Sequence, residues 1–524
     1  IEWRRLAGQI QPRTTASAHF SPSDRGFQMN QNSIQKLLSA LADDDRQLLE
    51  THISWVLLAG DYAWKIKKPV DFGFLDFSSL NKRRFYCEEE LRLNSRLAPD
   101  MYLEVVAVAG TPDAPRLDGD GEPLDFAVKM RRFDQSGLLS NRLTRLDPGL
   151  MDELAGLVAD FHQQIQVCGE DCAYGSPGSV LTPMLDNFST IRDLGQPPEI
   201  NDQLARIEAW TRSRAEALNP VLQARKVNGF IRECHGDMHL GNITLIDERP
   251  VIFDGIEFNP GLRWIDTMNE VAFLLMDLRE KQLPQLAWHF LNRYLQQTGD
   301  YSGLALSAFY QAYRAMVRAK VAALGGNRQS GFGSYLQQAE ACTGSSAPRL
   351  IITHGLSGSG KSHTASRAAD QLGAIHLRSD IERKRLAGLA ALSRTDSGLD
   401  SGIYARDKTA QTYQQLLRLA QQVLQDGYSV IVDATFLLGE QRRVFRGLAD
   451  QLSIPFAILD MQTPESLLRQ RIRQRRQQAR DPSEADEKVL ELQLQNRQPL
   501  TSEELVYAIQ VTPDQAFDIR VLSG

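Results

Sequence analysis

The stretch 353-THGLSGSGKSHT-364 decides the fold of the part of the chain that holds it. Gly355 to Ser362 fits the pattern G-x-x-x-x-G-K-S in full and directly follows the apolar run Leu350 to Thr353. In such a loop the glycines let backbone amides turn toward phosphate oxygens, and a helix starting near Lys361 points its positive end at them. Lys361 can bridge the outer phosphates and Ser362 can ligate Mg²⁺. Gly355, Gly358, Gly360, Lys361, Ser362 and the adjoining His363 are therefore the expected nucleotide-binding residues, with Ser362 also a metal ligand. The loop begins about two thirds of the way along a chain of 524 residues, so at least one other domain must precede it.

Working outward, "RLIITHG", "AIHLRSD", "YSVIVDATF" and "PFAILDM" are four short apolar runs separated by helical stretches. That alternation predicts a parallel α/β sheet. The small, polar "TGSSAPR" at 343–349 reads as a linker, which puts the second domain at 350–524. After the second run, "RSDIER" sets Asp380 at a strand's carboxyl end, the edge where open α/β sheets bind ligands. Asp380 can accept a proton from a substrate hydroxyl or cap a helix, and Arg383 can hold an anionic group of the substrate. "VIVDAT" places Asp433 where a carboxylate can hold Mg²⁺. Six arginines (469, 471, 473, 475, 476 and 480) then crowd one helical stretch. They read either as a solvated face or as a lid closing over phosphates, and in the second reading Arg471 and Arg475 stabilise the transferring group.

With "GLSGSGKS" and "SDIER" in place, residues 347–520 resemble the P-loop kinases of the polynucleotide kinase, zeta toxin and gluconate kinase type. The resemblance implies ATP-dependent phosphorylation of a hydroxyl, with a strand-end aspartate as base and an arginine-bearing lid.

The upstream half carries its own constellation. "CHGDMHLGNITL" (234–245) has the form H-G-D-x-x-x-x-N, and "IFDGIEF" follows. Asp237 can take the proton of an attacking hydroxyl, while Asn242 and Asp254 can hold the Mg²⁺ that bridges ATP phosphates. A hairpin turning near Asp247 to Pro250 would bring the three together. A rival reading takes His235, Asp237 and His239 as ligands of a hydrolytic metal, but it leaves Asn242 and Asp254 without a role.

These residues resemble the aminoglycoside phosphotransferase family and, more distantly, protein kinases, over about 50–340. The resemblance implies a phosphate-contacting lysine in "YAWKIKK": Lys65, or Lys67 on the same strand face. It also implies an acidic partner on the next helix, where Glu90 shares a face with Tyr86, Leu93 and Leu97. The first lobe departs from protein kinases in having no G-x-G-x-x-G, only Gly60 in a tight turn. Asp266, Glu270 and Asp277 are candidates to attract a cationic acceptor.

The pattern predicts a helix over Ser33 to Glu50, a hairpin around Gly60-Asp61 and a β-rich lobe over about 51–134. A mostly helical lobe follows over about 135–342, broken by a loop at 174–184 and a strand-rich passage at 229–254. The expected fold class is thus a two-lobed α+β, protein-kinase-like domain (33–342) followed by an α/β P-loop NTPase domain with a parallel sheet. The implied function is two ATP- and Mg²⁺-dependent phosphotransferases acting on a hydroxyl of a small molecule, nucleotide or nucleic-acid end. The alternative is that one half is an ATP-binding switch for the other.

Composition agrees with an ordinary globular protein: 42% hydrophobic, 24% charged, net charge -6. Five scattered cysteines fit a reducing compartment better than a disulfide framework, and Cys168 with Cys172 lacks the second pair a metal site needs. There is no apolar run long enough to span a bilayer and no secretory signal, so a cytoplasmic location without membrane partners is expected. Residues 1–32 read as a disordered leader.

Overall fold

A computed structural model describes residues 28–41, 43–73, 75–169, 171–325, 331–344, 347–390, 406–478 and 486–512. Most of the expected leader (1–27) lies outside the described residues. Met29 is buried in a core and a helix starts at Gln31, capped by Asn30. The chain forms two compact units: residues 1–150, 160–282 and 306–343, and residues 151–159, 283–305 and 344–524.

The first unit opens with a six-stranded antiparallel sheet: β1 (Gln47–Glu50), β2 (Ser54–Ala59), β3 (Tyr62–Lys67), β4 (Tyr102–Thr111), β5 (Ala114–Leu117) and β6 (Asp125–Arg131), in the order β1-β2-β3-β6-β4-β5. Leu57, Ile66, Val106 and Ala127 fill its core on one face, against Ile34 and Leu37 of the first helix. The hairpin at Gly60 forms as expected, with φ 52 at that glycine. The helix expected to reach Glu50 ends instead at Ala40, and 47–50 is β1. Three successive aspartates, 43 to 45, are unfavourable at a helix C-terminus, and Leu48 and Leu49 pair with β2.

The helix Leu80–Asn94 packs on this sheet through Cys87, next to Val128. Beyond it the unit is mainly helical, with a core of Phe188, Ile207, Phe273, Met276 and Leu336. The loop expected at 174–184 is cut short: Ser176 caps a helix over Pro177–Asp193, and proline is well tolerated in that helix's first turn. Two short antiparallel pairs interrupt the helices. β7 (Ile231–Glu233) pairs β10 (Trp264–Asp266), and β8 (Ile243–Ile246) pairs β9 (Arg249–Ile252) around the expected turn, where Asp247 and Glu248 both have positive φ.

In the second unit β11 (Leu350–His354), β12 (Ile375–Arg378), β13 (Val430–Asp433), β14 (Phe456–Met461) and β15 (Ala508–Val511) form a parallel sheet in the order β12-β13-β11-β14-β15. The four expected strands are present; β15 carried too little apolar pattern to be anticipated. The phosphate-loop strand β11 is central and wholly buried up to Thr353, as a parallel sheet covered on both faces requires. The helix Pro284–Thr298 belongs to this unit and meets the edge strand β12. The Asn292 side chain accepts from the His376 amide (2.8 Å) and donates to the Ala374 carbonyl (3.0 Å), satisfying backbone groups that an edge would leave open.

Cys168 and Cys172 are joined in a disulfide, while Cys87, Cys234 and Cys342 are free. This departs from the expectation of unpaired thiols, because the intervening loop brings the two Cα atoms to 5.6 Å, within bridging range. Among the described residues no helix is long and apolar enough to cross a membrane.

Candidate active sites

In the first unit, strand alternation sends Lys65 and Lys67 of β3 to one face, where both meet Glu90 from the helix Leu80–Asn94. Lys65 Nζ lies 2.6 Å from Glu90 Oε1 and 2.8 Å from Asp254 Oδ1. Lys67 Nζ lies 2.7 Å from Glu90 Oε2 and also bonds Glu257. Burial works against the charge of Lys65, but Asp254 and Glu90 more than offset it and hold its pKa well above the ordinary value. Glu90 is likewise pushed up by burial and brought below the usual carboxylate range by the two lysines. Lys67 has no exposed side-chain surface, whereas Lys65 lines an open cavity. Lys65 is thus the lysine able to touch a ligand, and Lys67 braces Glu90.

That cavity is lined by the apolar Val56, Ala63 and Phe253 and by the charged Lys65, Asp237 and Asp254. The turn Thr51–Ile53 between β1 and β2 also lines it. Thr51 Oγ1 accepts from the amides of Ile53 (3.3 Å) and Ser54 (2.8 Å), so a hydroxyl organises this turn.

The catalytic-loop motif folds back on itself. Asn242 Nδ2 donates to the Asp237 carbonyl (2.9 Å) and to Asp237 Oδ2 (3.0 Å). Asn242 is completely buried, and its Oδ1 has no hydrogen-bond partner among the described residues. An orphaned amide oxygen beside a carboxylate is a suitable donor to a hard cation, so Asn242 and Asp254 fit Mg²⁺ by their chemistry. Burial raises the pKa of Asp237, but the neighbouring His239 imidazole outweighs it and keeps the carboxyl below its usual range. Asp237 therefore stays ionised and able to accept a proton.

The rival metal reading is not supported, because His235 and His239 turn toward the backbone. His235 Nε2 bonds the Phe253 carbonyl (2.9 Å), and His239 Nδ1 accepts from the Gly241 amide (3.0 Å). The acidic residues considered for attracting a cation are also corrected, since all three are buried and committed. Asp266 pairs with Arg225 at 2.7 Å. Glu270 accepts from the Gly236 amide (2.7 Å) and bonds His162 (2.9 Å), and Asp277 accepts from the Leu240 amide (2.8 Å). Glu270 and Asp277 hold the catalytic loop, helped by Arg314, which donates to the Gly236 carbonyl at 3.1 Å. Only their spacing on the helix after "IFDGIEF" could have hinted at that.

In the second unit the loop Gly355–Gly360 runs from β11 into the helix Lys361–Leu372. Gly358 has φ 83, and a Cβ there would lie 2.9 Å from the Leu468 carbonyl oxygen, so glycine is required on both counts. Lys361 Nζ donates to the Leu356 carbonyl across the loop (2.8 Å), Ser362 stands close enough to Asp433 to favour its ionised form, and His363 is exposed on the helix's first turn. Burial would raise the Asp433 pKa, but His376, 3.3 Å away, then Arg378 and Ser362 bring it to about 2. A hydroxyl and an ionised carboxylate at one point are the donor pair an octahedral cation takes, so Ser362 and Asp433 also fit Mg²⁺.

Asp380 lies in the first turn of the helix Ser379–Leu386, whose N-cap is Arg378; the capping role considered for Asp380 is thereby excluded. Arg383 Nη1 stands 3.4 Å from Asp380 Oδ1. The arginine cluster divides. Arg469 pairs with Glu465 and Glu491 and Arg473 with Glu487, whereas Arg471 turns to the phosphate loop, with Nη1 3.4 Å from the Ser359 carbonyl. Arg475 belongs to the helix Glu465–Gln478, and Arg480 lies outside the described residues.

Strand order and site geometry thus give a kinase-like α+β unit and a parallel α/β P-loop unit. A family model described as "AAA domain" matches residues 350–500. The uncharacterized protein Rv2004c of Mycobacterium tuberculosis is 33% identical over 407 residues, covering 76% of this chain and 80% of the relative. The uncharacterized protein Mb2027c of Mycobacterium bovis matches to the same extent. Among solved structures, a thermostable mutant of the aminoglycoside phosphotransferase APH(4)-Ia is 12% identical with TM-score 0.38, covering 59% of this chain and 97% of its own. The Mycobacterium tuberculosis APS kinase CysC in complex with AMPPNP and APS is 21% identical with TM-score 0.25, covering 34% and 95%. These TM-scores are low, and the fold reading rests on the strand order.

Proposed function

The chain belongs to the same family as the Mycobacterium tuberculosis protein Rv2004c, and from that premise we propose that it is a bifunctional ATP-dependent phosphotransferase. Each half transfers a phosphoryl group to a hydroxyl of a small molecule, nucleotide or nucleic-acid end, and the two sets of motifs lie on either side of 343–349. The observation that carries this reading is the single cavity onto which Lys65, Asp237 and Asp254 converge.

In the first half Lys65, held by Glu90, neutralises phosphate oxygens, and Asp237 takes the proton of the acceptor hydroxyl as its oxygen attacks the terminal phosphorus. The phosphorus–oxygen bond to ADP breaks as the new one forms. Asn242 and Asp254 would hold Mg²⁺, which would supply positive charge against the phosphates. In the second half Lys361 and the loop amides receive the phosphates, Ser362 and Asp433 are the metal ligands, Asp380 is the base and Arg383 faces the acceptor. Arg471 and Arg475 are the lid arginines. The test is ATP consumption and product mass for the full chain against a panel of hydroxyl-bearing metabolites, nucleotides and RNA ends. A chain that binds ATP but phosphorylates no acceptor would favour the ATP-binding switch.

The unequal surroundings of the arginines yield a sharper expectation. Arg471→Ala should lower second-half turnover by about 10²-fold, with ATP affinity changing much less. Arg473→Ala, which loses only an exposed pair with Glu487, should leave turnover within about twofold of the parent. Equal turnover in the two variants would return the whole cluster to a solvated face.

A further inference from the structure

Asp254 has φ 63, a left-handed conformation sparsely populated by residues other than glycine. Something must hold it there, and two buried side chains grip its backbone. The Asp254 amide donates to the Tyr102 hydroxyl at 3.2 Å. The next amide, that of Gly255, donates to Asn94 Oδ1 at 2.8 Å. Asn94 is 2% exposed and Tyr102 3%, so neither amide exchanges its partner for water at low cost.

Asn94 stands one helical turn beyond Glu90, and its Nδ2 donates back to the Glu90 carbonyl at 2.9 Å. One helix thereby reaches the same aspartate twice: at the carboxylate, through Glu90 and Lys65, and at the backbone, through Asn94. His235 closes the third side, since a Cβ on Gly255 would lie 3.1 Å from its Cδ2. The turn is enclosed by partners that fit one arrangement.

We propose that Asn94 and Tyr102 are positioning residues that fix the backbone of Asp254 in its left-handed conformation and so aim its carboxylate for metal. The inference rests on the reading of Asp254 as a metal ligand in the first-half site. Asn94 lies outside the residues that line the cavity, and the Tyr102 hydroxyl at the cavity wall is taken up by the Asp254 amide. Both act by pre-orienting the aspartate, as outer hydrogen bonds do around metal ligands generally.

The test uses the full chain with the second site disabled by Lys361→Ala, titrated with ATP in Mg²⁺ and again in EDTA. Tyr102→Phe, which removes one oxygen, and Asn94→Leu should each reduce the Mg²⁺-dependent gain in ATP affinity by about tenfold or more. Affinity in EDTA should stay within about twofold of the parent. Amide exchange without metal or nucleotide supplies the second readout. The amides of Asp254 and Gly255 should exchange about tenfold faster in the variants while the β8–β9 hairpin is unchanged. An undiminished Mg²⁺ gain, or loosening spread equally over the hairpin, overturns the positioning role. A parent whose Mg²⁺ gain survives Asp254→Ala overturns the metal reading itself, and the inference with it.

Discussion

Asp237→Asn is expected to bind Mg²⁺-ATP at the first site as the parent does, yet to lose roughly 10² to 10⁴ in phosphoryl transfer. The amide is isosteric but cannot take the acceptor's proton. Its oxygen can still accept from Asn242 Nδ2, which also holds the Asp237 carbonyl, so the loop should keep its shape. The parent carboxyl is held below its usual pKa range, which makes its ionised form the working one at neutral pH and its replacement by a neutral group a full loss. Asp380→Asn should behave likewise in the second half. Single-turnover transfer beside nucleotide affinity is the measurement. Transfer at the parent rate would make that aspartate a loop anchor and favour the ATP-binding switch for its half.

Removing nucleotide contacts should have an effect of comparable size, confined to one site at a time. Lys361→Ala takes away the only side-chain cation of the phosphate loop itself, and second-site ATP affinity should fall by about 10²-fold or more. Asp254→Ala deletes the carboxylate proposed to hold metal and leaves Lys65 and Lys67 facing Glu90 and Glu257, so Mg²⁺-dependent binding at the first site should be lost. Calorimetry on the full chain should count two nucleotides for the parent and one for each variant. Loss of both nucleotides in either variant would show that the sites depend on one another.

Much of both sites was legible because their decisive residues are close together in sequence. Asp237 and Asn242 are five residues apart and bond each other directly, and the phosphate loop is a continuous run whose backbone conformation its own glycines allow. Glu90 followed from helical spacing, since only that acid shared the face later found against β3. β1 and β15 were not legible. Each is four residues long, too short for a period to declare itself, and β1 followed a helix whose apolar residues seemed to continue into it. The burial of Asp266, Glu270 and Asp277 was also hidden, because a carboxylate in a helix looks the same in sequence whether it meets water or a backbone amide.

By itself, the sequence determined that a phosphate loop opens a parallel α/β domain and that a second motif of kinase type precedes it, and it named the candidate residues of each. These are properties of contiguous segments, where backbone conformation and donor chemistry are local. Tertiary structure alone decided that Lys65 meets an aspartate 189 residues away while Lys67 is sealed behind it, and that of the neighbouring arginines 469, 471 and 473 only Arg471 turns to the phosphate loop. It also decided that Asn94 and Tyr102 hold the left-handed Asp254. Such assignments depend on which side chains packing brings together, and on the burial that makes an unpartnered charge or amide too costly to leave alone.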